Sequence, residues 1–187
     1  CTIRSQNFLS NSRQIQEINS QVAQFRQLLI NVRQPGDCPE LREGIRKLRR
    51  KCVEACKRAA QQILPHMRRT TEIGIPVDCP ILMLLFYVAQ LFLRELSKCN
   101  KLVRKIPMDM TEYYENRAGP SNIGNVISQI LLRKQITPNF HEEELLSIKK
   151  DSEDIRELIA ELQEFMPQSA VYSLLKIPSQ SVVIRLN

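Results

Sequence analysis

The run VDCPILMLLFYVAQLFLREL, residues 77–96, opens on Asp-Cys-Pro, and the same tripeptide stands forty-one positions earlier in GDCPELREGI, residues 36–45. From Ile81 the longer run gives thirteen residues interrupted only by Gln90, followed at once by Arg94 and Glu95. A membrane-spanning helix needs about 20 apolar residues, whereas a run of roughly 10–14 is more often a buried core helix. The run therefore predicts the central helix of a bundle, residues 81–106. Its Leu, Phe and Met side chains serve packing and imply no cofactor ligand.

Working outward, the apolar residues Ile15, Ile18, Val22, Phe25, Leu29 and Val32 step by three and four, which places them on one helical stripe. Pro35 and Gly36 then break the chain. Leu41, Ile45, Leu48, Cys52, Ala55 and Ala59 repeat the same spacing and predict a second helix that ends near Pro65. Each Asp-Cys-Pro thus marks a helix start. Proline is tolerated in a first turn because its missing N–H would be unpaired there, and the aspartate caps or favours the positive end of the helix dipole.

The cysteines of the repeat are not expected to pair. A helix over residues 39–64 would be roughly 39 Å long at about 1.5 Å per residue. In an up-down-up bundle Cys38 and Cys79 would lie at opposite ends, yet a disulfide needs Cα atoms within about 7 Å. Cys52 and Cys56, one turn apart without histidines or a second pair, are a weak metal signal, and core filling is the better account of Cys52.

Composition agrees with an all-α reading. Five glycines, no tryptophan and 5% aromatic residues leave few turn and strand formers for a sandwich or barrel. Residues 107–140 read as a linker holding one short amphipathic helix at 123–134. Residues 141–166 form a coiled-coil-like helix whose stripe, Leu145, Ile148, Ile155, Ile159, Leu162 and Met166, is interrupted by Ser152 and wants a helical partner. Residues 167–187 are a mildly apolar tail. The expected organisation is a three-helix bundle over 1–106, the linker, the long helix and the tail.

Charge is asymmetric. Residues 1–110 hold 19 basic and 9 acidic side chains, a net of +10, against 8 and 11 in residues 111–187, a net of −3. Arg42, Arg46, Lys47, Arg49, Arg50 and Lys51 crowd the start of the second helix, and Lys98, Lys101, Arg104 and Lys105 end the third. With these helices antiparallel, both sets fall at one end, a basic pole suited to an acidic protein face or an anionic membrane surface. No zinc-finger spacing or recognition helix points to nucleic acid. The two histidines, His66 and His141, lack neighbours at catalytic or metal spacing. GPSNIGNV, residues 119–126, has Asn125 and Val126 where a phosphate loop needs Lys and Ser/Thr. The expectation is no catalysis, no cofactor, no metal and no small-molecule substrate.

The layout resembles that of syntaxins, an N-terminal three-helix domain followed by a SNARE-like segment. More closely, INSQVAQFRQLLINV, CPELREGIRKLRRKCVEACKRAAQQI, the apolar third helix and DIRELIAELQEFMP resemble the family of the RGS-seven binding protein and the RGS-nine anchor protein. The resemblance implies a non-catalytic adaptor. It would bind a regulator of G-protein signalling (RGS) complexed with a divergent G-protein β subunit, at the cytoplasmic face of membranes, and so shorten the signal. Family members end in a transmembrane helix or a basic, palmitoylated cysteine tail, and residues 179–187 show neither. A syntaxin-like trafficking protein is one alternative. The other is a secreted helical cytokine with three disulfides, favoured by six cysteines and disfavoured by the lack of any Asn-x-Ser/Thr sequon.

Overall fold

A computed structural model describes residues 2–72, 80–117 and 140–166 of the 187-residue chain. Among these residues there are five helices and no strand: α1 (Thr2–Ile30), α2 (Pro39–Glu72), α3 (Pro80–Lys105), α4 (Thr111–Arg117) and α5 (Phe140–Glu164). The expected helix at 123–134 and the tail lie outside the described residues.

Each long helix follows from its apolar spacing. All six residues of the first stripe are at most 5% exposed. In α3 the inward side is Ile81, Leu82, Leu85, Phe86, Ala89 and Phe92, continuing to Leu96 and Cys99, all at most 3% exposed. By length and composition α3 could cross a membrane, but half of its most apolar stretch is buried against other helices. Burial of a large apolar side chain stabilises by about 1.5–3 kcal/mol, and this face supplies much of the core.

α1 packs on α2 and α3, α5 packs on α3 and α2, and α2 meets α3 between them. Ion pairs from Arg49 to Glu144, Lys57 to Asp154 and Arg68 to Glu161 rise together in sequence, so α2 and α5 are parallel. Leu29, Ile45, Leu102 and Ile106 meet at one end, which makes α1 and α3 parallel to each other and antiparallel to α2. The helices therefore run up, down, up and down. The up-down-up bundle is present as expected, and the long last helix adds a fourth member along the α2–α3 pair.

Two local readings change. α2 does not end near Pro65 but continues to Glu72 with Pro65 inside it. An interior proline removes one hydrogen bond, but Pro65 and Gln61, whose carbonyl loses its donor, are exposed to water, while Met67 beyond them is 4% exposed and anchors the last turns. The aspartate of the first Asp-Cys-Pro is a clamp. Asp37 Oδ2 accepts the Arg33 amide at 2.8 Å, and its two oxygens take Nε and Nη2 of Arg42 at 2.7 Å each. Arg33 has φ 74°, the left-handed conformation that lets α1 stop and the chain reverse. Pro39 is the first residue of α2, and Pro80 is the first of α3.

Asp37 gives a pH-dependent prediction. Desolvation pushes its carboxyl up, but the hydrogen bonds from Arg42 and the Arg33 amide, with the charge of Arg42, outweigh it and hold the pKa below 3.8. A depressed folded pKa stabilises the fold above the unfolded value and loses that contribution as pH falls below about 3.8 toward the folded pKa. Asp37→Ala is expected to lower unfolding free energy by about 1–2 kcal/mol at neutral pH. The difference from wild type should shrink in urea titrations below that window. An unchanged difference there would refute the clamp as an ionised one.

Candidate functional site

The end of the bundle where α1 and α3 finish and α2 and α5 begin gathers the chemistry. A cleft of about 60 Å³ lies there, lined on its apolar side by Leu29, Val32, Leu102, Ile106, Met108 and Phe140. Ligand pockets run to about 300–1,000 Å³, so this cleft has the room of a side chain. Among the described residues no group of three or more His, Cys, Asp or Glu converges as metal ligands would.

Both basic sets sit at this end, but their side chains divide. Arg42 is engaged by Asp37. Arg46 Nη1 donates to Tyr114 Oη at 2.9 Å, its guanidinium lies 5.8 Å from the Tyr114 ring centroid, and its Nε is 3.6 Å from Glu144. Tyr114 Oη donates onward to Glu43 at 2.7 Å, and the ring packs on Phe140 with centroids 5.0 Å apart. Desolvation works against the Arg46 charge, but Tyr114, Glu144 and Glu43 outweigh it and raise its pKa. Burial and the hydrogen bond to Glu43 push the Tyr114 phenol up.

Arg49 is the larger departure. Expected in the basic pole, it is fully buried, with Nη1 on Asp151 and Nη2 on Glu144 at 3.0 Å and on Ser147 Oγ at 3.1 Å. Burial lowers its pKa and the charge of Glu144 opposes that; a guanidinium is not deprotonated in a protein. Its Nε has no hydrogen-bond partner among the described residues. Arg49 therefore ties α2 to α5 and is closed to an external partner. Lys47, Arg50, Lys51, Lys98, Lys101, Arg104 and Lys105 are exposed.

The expected partner stripe of the last helix faces the bundle. Ile148, Ile155 and Leu162 are fully buried, Met166 is 7% exposed, and Leu145 and Ile159 are half-buried. Ser152 bonds back to the Ile148 carbonyl at 2.8 Å, which satisfies its hydroxyl inside the stripe.

Tyr114 was not legible as part of this end, because residues 107–122 carry no apolar period. A signal existed: Asp109 accepts the Thr111 amide and hydroxyl at 2.9 and 2.6 Å, and with Glu112 three positions on it makes a helix-start signature. The resulting α4 carries Tyr114 over Arg46.

Cys38, Cys52, Cys56 and Cys99 are free thiols. Burial pushes the last three up to about 12, with the Cys52 charge adding at Cys56 and the Arg49 charge opposing at Cys99. They are core fillers, thiols and not thiolates at neutral pH. With four of six cysteines free, the three disulfides of the cytokine reading have no place.

A helical bundle closed by a fourth amphipathic helix is the architecture of a syntaxin-like domain, a non-enzymatic kind of fold. Residues 10–168 match the family model of the R9BP syntaxin-like domain, and the chain belongs to that family, as the resemblance of its first two helices indicated. No curated protein and no solved structure gives a match.

Proposed function

We propose that this protein is a non-catalytic adaptor that binds an RGS protein together with its divergent Gβ subunit and governs where that complex sits at the membrane. The observation that carries this reading is the family match, which spans the bundle from within α1 to the end of α5. The exposed cations of the basic pole are the contact side, toward an acidic protein face or anionic lipid. Deactivation of G-protein signalling follows from placing the RGS protein beside membrane-bound Gα.

A pull-down of the purified RGS–Gβ complex on the full chain tests this. Retention at micromolar concentration is expected, and no retention sinks the adaptor reading. A syntaxin-like role in trafficking would then predict that α5 leaves the bundle to join a SNARE assembly, exposing Ile148, Ile155 and Leu162 to a hydrophobic probe.

A further inference from the structure

α3 carries a second pattern, on the side away from the core. Leu84, Tyr87 and Leu91 are 48%, 38% and 46% exposed, the largest apolar exposures on this helix. Continuing from them by alternating steps of three and four, Arg94, Lys98, Lys101 and Lys105 are exposed as well. Between them lie the buried Leu85, Phe86, Ala89, Phe92, Leu96 and Cys99. The outward residues thus hold a strict 3.5-residue repeat over three heptads, the spacing with which one helix seats along another. At about 1.5 Å per residue the seam is roughly 30 Å long. Its first heptad is apolar and the rest is basic.

We infer that this outer seam of α3 docks an amphipathic helix of the partner protein, apolar opposite Leu84, Tyr87 and Leu91 and acidic opposite Arg94, Lys98, Lys101 and Lys105. The inference rests on the adaptor reading above and specifies its surface. Charge complementarity sets the acidic half of the partner. Lys98 is the only one of the four in an ion pair among the described residues, with Oε1 of Glu95 at 2.7 Å; Arg94, Lys101 and Lys105 remain available.

Residues 118–139 and 167–187 lack the charge such a helix needs. They contain no Asp or Glu at all, and each holds two Lys or Arg. A bilayer fits less well than a helix. Interfacial helices carry apolar residues on one face and cations on the other, whereas here both lie on one line along the axis. Immersing Leu84, Tyr87 and Leu91 with α3 parallel to the membrane would take the cations to the same depth. A partner helix can match the change from apolar to charged along its length.

Every seam residue is exposed, so substitution there should leave the fold intact, checked by circular dichroism. Two variants of the full chain, Leu84→Ser with Leu91→Ser and Lys101→Glu with Lys105→Glu, are compared with wild type for binding the RGS–Gβ complex. Each is expected to weaken binding about tenfold or more, the second with loss of salt sensitivity. Lys150→Glu with Arg156→Glu, exposed on α5 outside the basic pole and the seam, is expected to change it by less than about twofold. Wild-type binding that both seam variants retain overturns the seam and leaves the adaptor reading standing. No binding by wild type overturns the adaptor reading and the seam with it. Phosphatidylserine–phosphatidylcholine vesicles and light scattering provide the remaining arms. Seam-dependent vesicle binding with unchanged binding of the complex assigns the face to lipid, and seam-dependent dimerisation assigns it to a second copy; either result overturns the proposal.

Discussion

Asp151→Ala is expected to lower the unfolding free energy by about 3–5 kcal/mol, read as a shifted midpoint in urea unfolding followed by circular dichroism. Asp151 lies on α5 with its carboxylate on Arg49 Nη1, and Arg49 has no exposed surface. Removing the carboxylate leaves a guanidinium in the core beside Glu144, whose side chain is 20% exposed and pairs with Nη2 at 3.0 Å. That remaining pair keeps the loss near the lower figure. Most of the cost is the uncompensated charge and not the worth of the bond, which sets a second expectation. Arg49→Met combined with Asp151→Leu should return to within about 1–2 kcal/mol of wild type, since replacing both members of a buried pair by apolar residues is often neutral. If Asp151→Ala costs less than about 1 kcal/mol, Arg49 reaches water and the burial described for it is wrong.

The Arg49–Asp151 pair also shows where sequence reading stops. Arg49 stands in KLRRK, where a basic run reads as a solvated face, and its neighbours Lys47, Arg50 and Lys51 are indeed exposed. Yet it lies four after Ile45 and three before Cys52, on the apolar stripe of α2. Asp151 lies three after Ile148 and four before Ile155, on that of α5. One charge on each of two inward stripes is the signature of a buried pair, but recognising it requires knowing that α2 and α5 are neighbours and parallel. Periodicity gives the face of a helix and carries no information about which helix lies opposite. The inward side of α1 needed no such knowledge, because Ile15 to Val32 carry no charge on the stripe. Similarly, Pro65 reads as a stop from its own chemistry, and only the burial of Met67 beyond it shows why the helix goes on. The family likeness runs through α1, α2, α3 and the end of α5 and is most specific in the first two. Tyr114 lies on a helix of 7 residues, too short for any period to register.

Phe92→Ala is expected to cost about 3–5 kcal/mol, the range for removing a fully buried phenylalanine. Phe92 has no exposed surface and meets Phe25 of α1 edge to face, with ring centroids 5.8 Å apart and planes at 75°. Truncation removes the ring from the joint between α1 and α3 and leaves a cavity that two packed helices cannot close. Its chain neighbour Leu91 is 46% exposed, and Leu91→Ala should change stability by no more than about 0.5 kcal/mol. The contrast discriminates, because α3 has the length and composition of a membrane span. In a lipid-embedded helix the face away from the protein is as apolar as the face toward it, and neither residue would be stabilised by exclusion from water. In the bundle the two differ several-fold, measured on detergent-free protein by urea unfolding. Equal effects of the two substitutions would refute the assignment of α3 as a core helix with one outward seam. The predicted inequality leaves Leu91 without a role in stability, and its exposure is then accounted for by what the seam binds.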